Sequence, residues 1–214
     1  KRFVTGRGSF VADIERPGML HVAVLPCPYP RAEINKIDTG AALAMPGVHA
    51  VLEGAELAEA TKPLYGGLNT PGVKWRPLAF ELSRYAGEWV AAVAADSRAI
   101  AEDAMELIQV DYTPTDPVID PEDAYQPGSP MVHPEHGSNV LYAGEFTWGP
   151  VADDFAAADQ SLRFRARWHR SSTVPIETFG AVAEWDEGKG ILDVWASIQM
   201  PNYADQIAAA LSLP

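Results

Sequence analysis

Two imidazoles and a carboxylate fall within four residues in the stretch HPEH, His133 to His136. Histidine nitrogens and carboxylate oxygens are ligands of zinc, so metal binding is the first chemistry to consider. Pro134 and the surrounding prolines oppose the helix that would bring both rings onto one face. We therefore expect a solvated loop here and no metal site.

Gln199 is the second candidate, at the end of the phrase ILDVWASIQ. The apolar run before it predicts a buried strand, and Asn202, with Asp205 as its capping-box partner, predicts the start of a helix. Ligands commonly bind at the carboxyl ends of strands in mixed sheets. A neutral amide both donates and accepts, which suits the orientation of an oxo or hydroxo ligand better than proton transfer. The alternative is a polar side chain that only satisfies the backbone.

Four further residues have reactive side chains but weaker support. Glu177 follows the apolar Val-Pro-Ile run, and a buried, hydrogen-bonded structural glutamate is favoured over a general base. Cys27 lies between two prolines with no nearby histidine to make it a thiolate, so a structural role is expected. His21 and His169 are predicted in strands, packed or hydrogen-bonded.

Composition excludes several classes of protein. The formal net charge is -13, and no stretch gathers lysine and arginine, which argues against binding to nucleic acid or to an anionic membrane. The single cysteine excludes an internal disulfide framework, a thiolate zinc cage and a self-contained iron–sulfur cluster, and it favours the cytoplasm. The glycine-rich phosphate loop and the Gly-x-Ser-x-Gly elbow are both absent from the sequence.

The first half alternates short strand and helix patterns. Strands are predicted at residues 19–26, 32–38 and 48–54, with a short helix capped by Thr39 and a helical turn at residues 56–60. The strongest unit follows as the strand EWVAAVAAD, the helix SRAIAEDAMELI and the strand IQVDYTP. That order predicts a parallel, right-handed crossover.

Prolines punctuate residues 113–150, which predicts a domain boundary with an extended connection. Beyond it we predict a short helix in ADDFAAADQ and three strands, SLRFRARWHRS, FGAVAEWD and GILDVWASI. Apolar and polar residues alternate in the first of these, as in a sheet with one solvated face. The turn EGKG predicts a hairpin between the other two.

Taken together, several phrases resemble the large, molybdenum-binding subunit of the xanthine oxidase family, and within it the carbon monoxide dehydrogenase-like and aldehyde oxidase-like large subunits. They are TGRGSFVADIERPGMLH, IDTGAALAMPGVHAVLEGAEL, YAGEWVAAVAADSRAIAEDAMELIQVDY, NVLYAGEFTWG and PIETFGAVAEWDEGKGILDVWASIQMP. They cover nearly the whole chain in the family's order.

The resemblance implies an α+β fold. An α/β hammerhead domain is expected over residues 1–125, a proline-rich connection over 126–150, and the first mixed-sheet part of a molybdopterin-binding domain over 151–214. It also implies that Gln199, in the phrase Ser197-Ile198-Gln199, hydrogen-bonds at the molybdenum centre.

The implied activity is oxidation of an aldehyde, an N-heteroaromatic compound or carbon monoxide with oxygen drawn from water. The implied cofactor is molybdopterin in its cytosine dinucleotide form. FAD and 2Fe-2S clusters are expected on a medium and a small partner subunit, in a cytoplasmic dimer of heterotrimers. No catalytic residue is expected in this segment, because the family's general-base glutamate and its Gly-Gly-Gly-Phe-Gly loop would lie beyond Pro214.

A different class of function is a non-catalytic docking or assembly module built on the hammerhead fold. The two readings predict different surfaces. A segment of a larger catalytic chain should expose an unpaired sheet edge and apolar area around Trp185, Trp195 and Ile198, whereas a stand-alone module should cover them.

Overall fold

The helices and strands follow the predicted order with several exceptions. A computed structural model describes residues 2–64, 72–169 and 171–213. The strands are β1 His21–Pro26, β2 Ala32–Asp38, β3 Val48–Glu53, β4 Leu82–Ser83, β5 Trp89–Ala95, β6 Gln109–Pro114, β7 Ala181–Asp186 and β8 Ile191–Ala196. The helices are α1 Gly40–Leu43, α2 Gly54–Ala60, α3 Arg98–Glu106, α4 Pro121–Ala124, α5 Val151–Ala157 and α6 Tyr203–Leu211. Short 3-10 turns occupy Phe3–Thr5, Val11–Asp13 and Pro134–His136.

The chain divides into two compact units, each built from two separate stretches of sequence. We call the larger one the two-sheet unit; it comprises Glu15–Leu141 and the residues from Met200 onward. We call the smaller one the hairpin unit; it comprises the residues up to Ile14 and Tyr142–Gln199. The domain boundaries at residues 125 and 150 stay a prediction.

The two-sheet unit contains two three-stranded sheets, in the orders β1-β5-β3 and β4-β2-β6. All of the pairings are antiparallel. The predicted parallel crossover is therefore wrong, because β5 and β6 lie in different sheets. The reason is that β1 and β3 occupy both edges of β5, which leaves β6 to pair with β2.

Small buried residues explain why β5 lies at the centre of its sheet. Val90, Ala91, Val93 and Ala95 are fully buried, and β-branched and small side chains fit a strand that is covered on both faces. Helix α3 packs on β1 and β5 with the fully buried Ala101 and Ala104 on its inner face. Ser97 caps this helix, since its hydroxyl accepts the backbone N–H of Ile100 at 3.3 Å.

Gly54, the first residue of α2, lies directly against the backbone of Ala79. A Cβ at this position would lie 2.2 Å from the Ala79 carbonyl oxygen, a separation that a real Cβ does not reach. Only a residue without a side chain allows the end of β3 and the segment before β4 to approach so closely.

A network of charged side chains holds residues 132–135 against the end of β4. The Arg84 guanidinium lies 3.8 Å from the Glu88 carboxylate and 3.5 Å from that of Glu135, which in turn contacts the His133 ring at 3.2 Å. Glu88 also accepts the Ser83 hydroxyl at 3.3 Å. The arginine, the histidine and the two glutamates line a cleft of about 420 Å³ and, because they bond to one another, they stabilise its walls.

The same network perturbs the ionisation of Glu135. Burial raises the pKa of this carboxyl, but backbone and His133 hydrogen bonds and the Arg84 charge outweigh it and hold the pKa below its usual range. A carboxyl whose pKa is lowered by folding stabilises the folded state at neutral pH, and this stabilisation is lost as the pH falls.

The hairpin unit is built on β7 and β8. The two strands pair from Ala181↔Ala196 to Asp186↔Ile191, and the turn between them confirms the predicted hairpin. Gly190 in this turn has a φ of 66°, which glycine adopts without strain. Asp186 accepts the Lys189 backbone N–H at 3.0 Å and its ammonium at 2.6 Å, which fixes the turn.

The strand predicted over residues 161–171 does not form in the part of it that the structure describes. Residues 161–169 are irregular, and Leu162, Phe164 and Trp168 are 85%, 78% and 90% exposed. Alternation supplies an apolar face, but a strand also needs a hydrogen-bonded neighbour, and no described strand pairs with this segment.

Mixed helices and antiparallel sheets confirm the α+β class. Over the described ranges, no helix is both long enough and apolar enough to cross a bilayer. The buried core lies in the two-sheet unit, and no described residue of the hairpin unit is fully buried.

We predict that Gly54→Ala lowers the free energy of unfolding by about 1–3 kcal/mol, the usual cost of adding a group where no space exists. Gly40→Ala is the control, because its Cβ would meet only the Asp38 carboxylate at an ordinary 3.4 Å. Urea denaturation of both variants checks this. Equal midpoints for the two variants would contradict the close approach.

We predict that Glu135 contributes stability that is complete above its unfolded pKa of about 4.3 and decreases as the pH falls through the lower folded value. Glu135→Gln should therefore cost about 0.5–1 kcal/mol at pH 7, because solvent screens a partly exposed carboxylate, and less at about pH 3. The control is Glu59→Gln, on an exposed side chain of α2. The measurement is urea denaturation across this pH range, and a cost for Glu135→Gln that does not change with pH would refute the prediction.

Candidate functional site

Gln199 lies in an irregular stretch between β8, which ends at Ala196, and α6, which begins at Tyr203. Its side chain is exposed, and its amide makes no hydrogen bond to any of the described residues. The predicted helix start is confirmed, since Asn202 occupies the N-cap position. The predicted capping box is wrong, because the Asn202 side chain makes no capping hydrogen bond. Its backbone angles (φ -83°, ψ 10°) also differ from the extended angles that are typical of an N-cap residue.

Ser197 fixes the end of β8 two residues before Gln199. Its hydroxyl donates to the Thr178 carbonyl oxygen at 2.9 Å and accepts the Gly180 N–H at 2.9 Å. The Ser197 backbone N–H also donates to the Gly180 carbonyl oxygen, at 3.0 Å. The side chain therefore continues the pairing between the two strands beyond the last regular pair.

Glu177 fixes the other side of the same turn. Its carboxylate is half-buried and accepts the Val11 N–H at 2.9 Å. Val11 begins a 3-10 turn that Asp13 closes by accepting the Phe10 N–H at 2.9 Å. The expected hydrogen bond is confirmed, whereas the expected burial is only partial. We call residues Glu177–Gly180, held between Val11 and Ser197, the clamped turn.

Apolar side chains around this site are exposed, as expected for a segment of a larger catalytic chain. Trp185 is 51% exposed and Ile198 37%, while Trp195 is half-buried. Strands β7 and β8 pair only with each other among the described residues. Two-stranded hairpins are marginally stable alone, so this unit gains stability by covering its apolar surface.

The HPEH stretch differs from its prediction. Residues Pro134–His136 form a 3-10 turn. Proline is tolerated at the first position of a helix, because the backbone N–H there has no partner within the helix. His133 is not solvated: it is 9% exposed and packs edge-on against Trp75, with ring centroids 5.6 Å apart. His136 contacts the Val140 carbonyl oxygen at 3.2 Å. Thus the two rings have separate partners.

The remaining candidates have varied outcomes. Cys27 is buried, as expected, and its thiol lies 3.7 Å from the Tyr29 carbonyl oxygen. His21 lies in β1 as predicted, but His169 is exposed and outside any strand. Within residues 2–64, 72–169 and 171–213, no three histidine, cysteine, aspartate or glutamate side chains come together as a metal site.

Sequence reasoning missed the clamped turn. The Ser-x-Gln phrase singled out Gln199, but nothing in it indicates that the serine hydroxyl bonds back to Thr178 and Gly180. The partner of Glu177 lies 166 residues away, at Val11. Local patterns carry no signal for a contact at that separation.

The exposed amide fits a cofactor that needs a neutral hydrogen-bonding group. Gln199 presents a donor and an acceptor on one side chain, and no described protein group uses either. A bound group with both donor and acceptor atoms could be oriented by this amide, whereas proton transfer would need a titratable side chain in its place.

Comparisons with known proteins bear directly on this site. The sequence model described as "Aldehyde oxidase and xanthine dehydrogenase, a/b hammerhead domain" matches residues 5–116. The model described as "Molybdopterin cofactor-binding domain" matches residues 132–214, which include Gln199 and the clamped turn.

Relatives of known function are similar over almost the whole chain. The carbon monoxide dehydrogenase large chain of Hydrogenophaga pseudoflava is 36% identical over 99% of this chain and 28% of its own length. The nicotine 6-hydroxylase large subunit of Paenarthrobacter nicotinovorans is 34% identical over 94% of this chain and 25% of its own. The chain thus spans about a quarter of the length of these relatives.

A solved structure has the same fold. Quinoline 2-oxidoreductase from Pseudomonas putida 86 superposes over 100% of this chain and 28% of its own, with a TM-score of 0.89 and 36% identity. The hammerhead match, which covers more than half of the residues, and these relatives at over 30% identity confirm the resemblance. The chain belongs to the aldehyde oxidase and xanthine dehydrogenase family of molybdenum hydroxylase large subunits.

Proposed function

We propose that this chain is part of the catalytic subunit of a molybdenum hydroxylase. The reaction is oxidation of an aldehyde, an N-heteroaromatic compound or carbon monoxide, with oxygen drawn from water. The observation that carries the proposal is the exposed amide of Gln199 at a hydrogen-bonded strand end, inside the stretch that matches the molybdopterin cofactor-binding domain.

Gln199 is the cofactor-binding residue in this proposal. Its amide hydrogen-bonds to a group at the molybdenum centre and orients that group without changing the charge of the site. The cofactor, when bound, supplies the centre at which water-derived oxygen reaches the substrate carbon and from which electrons leave. The protein supplies an amide whose position is set by the end of β8.

No catalytic residue is assigned within residues 1–214. The proton from the reaction needs a carboxylate base, and the family resemblance assigns that role to a glutamate outside this sequence. Glu177 does not compete for it, because its carboxylate already accepts the Val11 N–H in a structural contact.

The complete enzyme, in this proposal, carries the cytosine dinucleotide form of molybdopterin. A medium subunit with FAD and a small subunit with 2Fe-2S clusters accept the electrons, in a cytoplasmic dimer of heterotrimers. The relatives named as a large chain and a large subunit support this division, because such names imply further subunits.

The docking-module alternative has less support. The relatives are named as a dehydrogenase and a hydroxylase, and the exposed Trp185 and Ile198 are what a segment of a larger catalytic chain should present. A module complete in itself would bury more of the hairpin unit.

The reaction class is tested by purifying the complete enzyme from its native source. We expect stoichiometric molybdenum by elemental analysis, and turnover of at least one of three probes: an aromatic aldehyde, quinoline or carbon monoxide. Oxygen in an organic product should derive from ¹⁸O-labelled water. A purified protein free of molybdenum would refute the proposal.

The role of Gln199 is tested by Gln199→Ala in the complete enzyme. Loss of one hydrogen bond at the reacting centre should lower kcat about ten- to a thousandfold. Molybdenum content should stay near that of the parent, since one bond of many is removed. The control is Gln160→Ala, an exposed glutamine of the hairpin unit outside the site. Equal kcat values for Gln199→Ala and the parent would refute this role.

A further inference from the structure

The Ser197 hydroxyl uses its hydrogen-bonding capacity in two directions. It donates a hydrogen bond to the Thr178 carbonyl oxygen and accepts one from the Gly180 N–H, both at 2.9 Å. Removing the hydroxyl would leave one donor and one acceptor of the turn without these partners. No other residue type but threonine offers the same pair of functions at the same distance from the backbone.

Packing cannot fix this strand end in place of hydrogen bonds. No described side chain of the hairpin unit is fully buried, and Gly180 and Ser197 are themselves only half-buried. The position of the end of β8 therefore depends on the bonds of Ser197 to Thr178 and Gly180. The adjoining N-terminal turn lies close on the other side, where the space beside the Gly180 Cα is bounded by Val11 Cγ1.

Ser197 is also the last fixed point before Gln199. Beyond it the backbone leaves the regular ladder, and Ile198 and Gln199 are exposed. Two residues span at most about 7 Å, so the position of Ser197 limits where the Gln199 amide can lie. A misplacement of about 1 Å in a group that orients a reacting centre costs up to about a hundredfold in rate.

We propose that Ser197 is a positioning residue for the Gln199 amide, and that Glu177 supports it by holding the clamped turn against Val11. The inference rests on the role of Gln199 under the proposed function. Ser197 does not touch the cofactor. It acts through the strand end, and the hydroxyl rather than the size of the side chain is what matters.

The test compares Ser197→Ala and Ser197→Thr in the complete enzyme. Three quantities are measured: molybdenum content, the electron paramagnetic resonance spectrum of the partly reduced molybdenum, and kcat and KM. For Ser197→Ala we expect full molybdenum content, a changed spectrum and a kcat about ten- to a hundredfold lower, with KM within about threefold. Threonine should restore both the spectrum and kcat, because it restores the hydroxyl.

A purely structural role for Ser197 gives a different result. The alanine variant would then unfold at a lower temperature but keep the parent spectrum and kcat, and that outcome overturns the inference. Failure of threonine to restore the spectrum while the enzyme assembles also overturns it, since the hydroxyl would then not be the determinant.

Gln199→Ala, measured in parallel, separates this inference from the proposed function. A changed spectrum for Gln199→Ala with an unchanged one for Ser197→Ala removes only the positioning role. Unchanged spectra for both remove the role of Gln199 as well.

Glu177 provides a second pair of variants in case Ser197→Ala does not assemble. Glu177→Gln keeps an acceptor for the Val11 N–H, whereas Glu177→Ala removes it. We expect parent-like spectra for the glutamine variant and a kcat about three- to tenfold lower, with a changed spectrum, for the alanine variant. Parent-like behaviour of both variants would overturn the inference.

Discussion

Hydrogen bonding along both edges of β5 is the constraint on which the two-sheet unit depends. β1 pairs with one edge and β3 with the other, so β5 cannot accept another neighbour. Its two faces are covered as well, since Val90, Ala91, Val93 and Ala95 are fully buried, and small or β-branched residues fit such a strand. The fully buried alanines of α3 follow from the same requirement, because a helix that packs on such a strand approaches it closely. The second sheet takes the strands that β5 excludes.

The hairpin unit is organised differently. It lacks fully buried side chains among its described residues, and hydrogen bonds at its turns define its geometry. Asp186 with Lys189 fixes one end of the hairpin, and Ser197 with Gly180 fixes the other. Large apolar residues such as Trp168 and Ile176 remain exposed, at 90% and 97%. Polar contacts therefore define the geometry of the hairpin unit. Its exposed apolar side chains would stabilise it only when they are covered.

Local structure was predictable from the sequence wherever one stretch carried its own signal. Helix α3 has a capping serine and a regular apolar stripe, and the β7–β8 hairpin has a glycine in its turn. The placement of β5 and β6 in different sheets was not predictable in this way, because it depends on pairing with strands that are distant in the sequence. The alternation of apolar and polar residues over 161–168 likewise predicts an apolar face but not the strand with which it would pair.

In the candidate site, too, some features were predictable from the sequence and others were not. Gln199 could be singled out because it lies where a predicted strand ends and a predicted helix begins, a place where ligands commonly bind, and the family resemblance implied its role. The hydrogen bonds of Ser197 and Glu177 could not, because their partners are set by the three-dimensional course of the chain. His133 shows a similar limit: Pro134 follows it in the sequence and predicted a solvated loop, yet its ring packs against that of Trp75.

The contact between Val11 and Glu177 also has a consequence for synthesis. The two residues are 166 positions apart, so at about 5–20 residues per second the N-terminal turn leaves the ribosome roughly ten to thirty seconds before its partner exists. During that interval Glu15–Leu141, which contain the strands of both three-stranded sheets, are translated. The hairpin unit can therefore be completed only after both of its separated stretches have been made.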